Sequence, residues 1–208
     1  MGCVPKIVAR IGAVLLILSA APAPVSACGF DGVIGASLSA QHPKSLAVAF
    51  ALRDAVDSGA LDRTALAPIE RVPKGYWRAA AHVQELQRRL AGAKTRDAAP
   101  SLALLFIESQ LWSRLKPTAT TFDLELHAAG AEPQDVVIVT NETVLASLLD
   151  GSLSAQAALD RGLVALDGEP SAVAVLREIL LESMSRPADR ASPMSLLPFT
   201  GAKAKTLR

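Results

Sequence analysis

The chain has 208 residues, 50% of them hydrophobic and 20% charged, and a formal net charge of +1. So apolar a composition, carried by Ala, Leu and Val with few aromatics, excludes a disordered chain. The 21 basic and 20 acidic residues nearly cancel, and no basic stripe interleaved with aromatics is present, so nucleic-acid binding has nothing to rest on.

Residues 1–27 read as a cleavable export signal. Lys6 and Arg10, with no acid nearby, precede the apolar stretch IGAVLLILSAA, and Val25-Ser26-Ala27 places small side chains where a signal peptidase cuts. That stretch is too short to span a hydrocarbon core of about 30 Å, and Pro22 and Pro24 break it. Cleavage would leave a mature chain starting at Cys28, in the periplasm or at the cell envelope. Val25-Ser26-Ala27-Cys28 also resembles a lipobox, which would put a diacylglycerol on Cys28 and tether the protein to a membrane; a bare terminal cysteine is the alternative. Cys3 leaves with the signal, so the mature chain has one cysteine and no internal disulfide.

Residues 28–42 carry three glycines and little periodicity, which predicts an extended arm held to the core by Phe30, Val33 and Ile34. A helical front is expected over residues 43–93. Pro43 opens a pattern in which Leu46, Ala49, Phe50 and Val56 recur at helical spacing up to Gly59, and a short helix from Arg63 is closed by Pro68 and Pro73. Residues 76–91 form the clearest amphipathic helix, with Trp77, Ala80, Val83, Leu86 and Leu90 on one face and Gly92 as the stop. The polar segment 94–100 marks the boundary to a differently patterned back.

Residues 101–107 are continuously apolar, compatible with a buried strand or a buried helix. Strand is favoured because two clearer strands follow, residues 120–127 with alternating Phe122, Leu124 and Leu126, and the Val/Ile-rich residues 135–140. Gly130 and Pro133 in the loop 128–134 predict a hairpin turn between them. Asn141 is positioned to cap a helix over 142–149 and Ser154 a second over 155–160, with Gly151 and Gly162 just beyond their ends. A short strand at 163–166 and a last helix after Gly168-Glu169-Pro170, with Val173, Leu176, Ile179 and Leu180 inward, complete a single α+β domain over residues 43–184. Residues 185–208 read as a flexible tail.

Residues 135–181 resemble the C-terminal half of a sterol-carrier-protein-2 domain. The resemblance rests on the strand Val136-Val137-Ile138-Val139, then Val144, Leu145, Leu148, Gly151 and Leu153, and then Ala157, Ala158, Gly162, Leu163, Val164, Leu166, Gly168 and Leu176. It implies a small mixed β-sheet covered by helices, with an apolar cavity between the layers for acyl chains or similar molecules, and no consensus catalytic residues. The long helical front puts the openness of that cavity in question.

Chemistry-bearing motifs are lacking. His42, His82 and His127 stand at no metal-ligand spacing and read as surface or helix-face residues, and no nucleophile elbow, P-loop or dinucleotide fingerprint follows an expected strand. No catalytic residue, metal ligand or cofactor is therefore assigned. Asp123 and Glu125 share one strand face and read as its solvated side. Phe106, Trp112, Phe122 and Leu124 are the candidates for lining a ligand cavity, with core packing as the alternative. The expected partner is a lipid or other apolar small molecule. An accessory protein docking on an envelope protein ranks close behind, and an enzyme last.

Overall fold

All five residues of strand β1 (Leu102–Phe106) are buried, because protein covers both faces of the sheet at whose centre it lies. The computed structural model describes residues 42–67 and 74–185. The expected signal, Cys28, the arm as far as Gln41, Pro68, Pro73 and the tail beyond Ser185 lie outside the described residues.

The sheet has five strands in the order β3-β2-β1-β4-β5, where β2 is Leu111–Pro117, β3 Phe122–Leu126, β4 Val136–Thr140 and β5 Ala165–Asp167. β1 and β4 run parallel with Leu104 opposite Ile138, and the other neighbours are antiparallel. One expectation is corrected here. The loop 128–134 is not a hairpin turn: β3 pairs with β2, and the loop carries the chain from the sheet edge past β2 and β1 to β4. Hairpins instead join β1 to β2 and β2 to β3, the second closed where the Thr118 amide donates to the Thr121 carbonyl at 2.8 Å. β2 was not anticipated, since Ser113, Arg114 and Lys116 interrupt its apolar pattern, yet Leu111, Ser113 and Leu115 all point inward.

The larger part of the core lies on one face. Leu102, Leu104 and Phe106 of β1 and Val136 and Ile138 of β4 meet α2 (Lys74–Ala91), α3 (Glu142–Asp150), α4 (Ala155–Asp160) and α5 (Pro170–Ser185) in one cluster. Alternation sends Ala103, Leu105, Val137 and Val139 to the opposite face, where they pack with Val48 of α1 (Ser45–Asp57). Helical front and strand-bearing back therefore share one core.

Local signals place the helix ends. Asn141 Oδ1 accepts from the Thr143 amide at 2.8 Å and Ser154 Oγ from the Ala157 amide at 3.2 Å, as expected of caps. Gly151 ends α3 with φ +82°, a left-handed conformation that is cheap only without a Cβ.

The apolar face of α1 differs from expectation. Its buried stripe is Val48, Leu52, Ala55 and Val56, whereas Leu46 and Phe50 are 46% and 63% exposed. Each precedes a stripe residue by two positions, a rotation of about 200°. Trp77, expected on the inner face of α2, is 65% exposed, and Tyr76 packs against the core in its place.

Candidate functional site

Helix α3 contributes different residues to the walls of two cavities. Leu145 and Leu148, with Leu86 of α2, Leu104 and Ile138 of the sheet and Met184 of α5, enclose an almost wholly apolar cavity of about 20 Å³ between the layers. That is room for roughly one water-sized sphere, so the space is largely filled by the protein's own side chains.

None of the four residues expected to line a ligand cavity borders this one. Phe106 and Phe122 are fully buried in the larger cluster, and Leu124 packs against it. Trp112 does not share their face: it lies across the sheet against the cluster of Leu105 and Val139, because Leu111, Ser113 and Leu115 take the inward positions of β2. Phe106, Phe122 and Leu124 thus share one face of the sheet, and Trp112 lies on the other.

The second cavity is polar, with a volume of about 320 Å³. It opens where the parallel strands β1 and β4 end, since Glu108 lies two residues beyond Phe106 and Asn141 and Glu142 directly follow Thr140. Arg78 and His82, one turn apart on α2, face them, and Thr64 of the 3-10 turn Arg63–Leu66 completes the rim.

Glu142 anchors this site. Its side chain is 7% exposed; Oε1 accepts from Arg78 Nε at 2.7 Å, Oε2 from Arg78 Nη2 at 3.3 Å, and His82 Nδ1 approaches Oε1 to 3.2 Å. Burial pushes the Glu142 carboxyl up, but the close approach of His82 and the hydrogen bonds and charge of Arg78 outweigh it and hold the group below the ordinary carboxylate value. Glu108 is the opposite case. Its Oε1 accepts from the Glu142 amide at 2.6 Å, whereas Oε2 is shielded from solvent and meets no hydrogen-bond donor. Burial pushes this carboxyl up to about 7, against the pull of backbone amides and Arg78. Two carboxyls with displaced proton affinities thus stand side by side, one ionised and one able to hold or release a proton near neutrality.

Sequence reasoning missed this site. A signal was present: Glu108 follows the buried apolar run 102–107 and Asn141-Glu142 follow the Val/Ile-rich run 136–139 and Thr140, and the parallel pairing of those runs brings their ends together.

His42 Nε2 lies 3.3 Å from Asp167, and burial keeps its pKa below the ordinary value despite that carboxylate. The His127 ring meets Tyr76 edge to face at 6.4 Å. Among the described residues, no cluster of His, Cys, Asp and Glu is arranged to hold a metal ion, and no helix is long and apolar enough to cross a membrane. Glu125 pairs with Arg114 at 3.0 Å, while Asp123 is exposed.

No protein-family model matches the chain, and no curated protein matches it. Among solved structures, the sterol carrier protein domain 2 of Helicoverpa armigera is 12% identical, with 52% of this chain and 90% of that one covered and a TM-score of 0.43. The UbiJ-SCP2 ubiquinone synthesis protein is 17% identical over 57% of this chain and 100% of its own, with a TM-score of 0.38. The inverting sec-alkylsulfatase Pisa1 from Pseudomonas sp. is 18% identical, with a TM-score of 0.35; the match takes in 43% of this chain and 14% of the sulfatase. The chain is thus similar to sterol carrier protein 2 domains over about half its length, as residues 135–181 led one to expect. The likeness is one of fold, a mixed sheet with helices.

Proposed function

We propose that this chain is an exported, non-catalytic protein that takes a hydrophobic, lipid-like ligand between its sheet and its helices, in the periplasm or at the cell envelope. The observation that carries the reading is the apolar cavity, whose walls come from both layers. At about 20 Å³ it is a seed for a binding site, and an acyl chain enters only if the helices part from the sheet. Met184, near the C-terminal end of α5, is a wall residue suited to such repacking because its unbranched thioether chain adapts to irregular space. Burying a methylene is worth about 0.8 kcal/mol, so a medium-length chain offsets the several kcal/mol that association costs.

The test is native mass spectrometry of the protein purified from its own compartment, followed by displacement of a fluorescent fatty acid from delipidated protein. Copurified lipid and micromolar displacement are the expected results. Absence of binding at high micromolar lipid defeats the proposal. It would leave the second reading, docking on an envelope protein, which the exposed Leu46 and Phe50, one turn apart on α1, favour.

A further inference from the structure

We propose that the polar cavity at the ends of β1 and β4 is a second binding site, separate from the apolar one, and that it takes a small organic cation, an amine, through Glu108. Four observations converge on it. The cavity, at about 320 Å³, reaches the lower end of the range of small-molecule sites. Among the described residues, its wall holds two carboxyls, Glu108 and Glu142, against one guanidinium, Arg78, and one imidazole, His82. Arg78 already makes two hydrogen bonds to Glu142, so among the described residues an ionised Glu108 beside a neutral His82 leaves one negative charge unmatched. Finally, Glu108 Oε2 is a buried carboxyl oxygen with no donor, an arrangement proteins rarely leave unless a bound group completes it.

The sign of the missing charge selects the ligand. An anion would approach two carboxyls in a partly dehydrated site, where like charges repel strongly. A neutral alcohol can donate to Oε2 but does not balance the charge. An ammonium group does both. The last torsion of a glutamate is soft, so Glu108 can swing toward the cavity and exchange the Glu142 amide for the bound cation. Among the described residues, the charged or titratable groups facing it are Glu142 of α3 and Arg78 and His82 of α2; Thr64, Asn141 and Thr143 are uncharged. Because burial raises the Glu108 carboxyl to about 7, cation binding competes with its proton and strengthens as pH rises through that value.

The experiment titrates the protein with benzylamine, benzyl alcohol and benzoate, three probes of equal size, followed by NMR shifts and calorimetry at pH 6 and pH 8. Benzylamine alone should bind, with the Ala65 and Ala146 signals moving, and roughly tenfold more tightly at pH 8, where Glu108 is ionised. Glu108→Gln, which keeps the shape and the hydrogen bond to the amide, should lose that binding and its pH dependence. Ala146→Leu narrows the cavity without touching either acid and should weaken binding as well. Equal binding of the alcohol or of benzoate, unchanged binding in either folded variant, or no binding at 10 mM probe would overturn the proposal. Lipid displacement by the same variants should be unchanged, which separates this site from the apolar one.

Discussion

Glu108 holds the first amide of α3 at a distance: its Oε1 accepts from the Glu142 N–H at 2.6 Å across 34 residues of sequence, doing for that amide what a local capping side chain does elsewhere. A carboxyl so placed couples stability to pH. Burial raises its folded-state pKa to about 7, while in the unfolded chain it titrates near its ordinary 4.5. The folded protein thus keeps a proton that the unfolded chain has released. Stability from Glu108 is full below about pH 4.5 and is lost as pH rises through 7. Denaturant melts at pH 5 and pH 8 should show a loss on the order of 3 kcal/mol in the wild type that Glu108→Gln abolishes. The variant should be the more stable protein at pH 8.

Asp135, whose side chain is fully buried, accepts from Ser101 Oγ at 2.6 Å, the Glu132 amide at 2.7 Å and Arg114 Nε at 3.2 Å. Arg114 also reaches Glu125 and Glu132, and its own side chain is 12% exposed. Removing one partner leaves the others buried and unmatched. Asp135→Ala should cost about 3 kcal/mol by urea unfolding, and simultaneous Arg114→Met should recover part of the loss.

Gly168 has φ +147° and sits against β4, where an added Cβ would meet Val136 Cα at 3.3 Å. Gly130 has φ +149° with nothing within 4 Å of that position. Both conformations are nearly exclusive to glycine, so each alanine variant should lose roughly 1–3 kcal/mol. Gly168→Ala should lose more than Gly130→Ala, because strand backbone cannot yield as a side-chain tip does. Equal losses in thermal melts would show that the contact with Val136 is relieved at no cost.

The apolar cavity makes a prediction opposite to that of the aromatic residues. Leu148→Trp overfills a wall position, so it should abolish fatty-acid displacement and cost roughly 1–3 kcal/mol in stability. Trp112→Ala, across the sheet, should leave displacement unchanged. Loss of binding in the Trp112 variant with cooperative unfolding intact would place the ligand on the other face.

Much of the fold is legible because the signals are local. Asn141, Ser154 and Gly151 mark helix ends through their own hydrogen bonds and backbone angles, and the unbroken apolar run from Leu102 to Phe106 reflects burial on both faces. Pairing partners are less legible. A turn-like loop at 128–134 looks the same whether it closes a hairpin or crosses two strands, and only the burial of Leu111 and Leu115 shows that β2 lies between. Leu46 and Phe50 repeat at helical spacing as well as Val48 and Leu52 do, so periodicity alone does not say which stripe meets the sheet. The polar site was the least visible, since Glu108 and Glu142 become neighbours only through the parallel pairing of β1 with β4.

The two outer strands show how copies of this protein are kept from joining edge to edge. β5 is three residues long, and Lys44 lies over it, its Nζ donating to the Leu166 carbonyl at 2.5 Å and pairing with Asp167 at 2.9 Å. β3, at the far side, carries Asp123 and Glu125, so a second β3 laid alongside would bring carboxylates against carboxylates. A short, cation-covered rim on one side and an acidic rim on the other are both poor templates for another strand. That gives an apolar fold, with no cysteine among its described residues, some protection against growing into sheet aggregates.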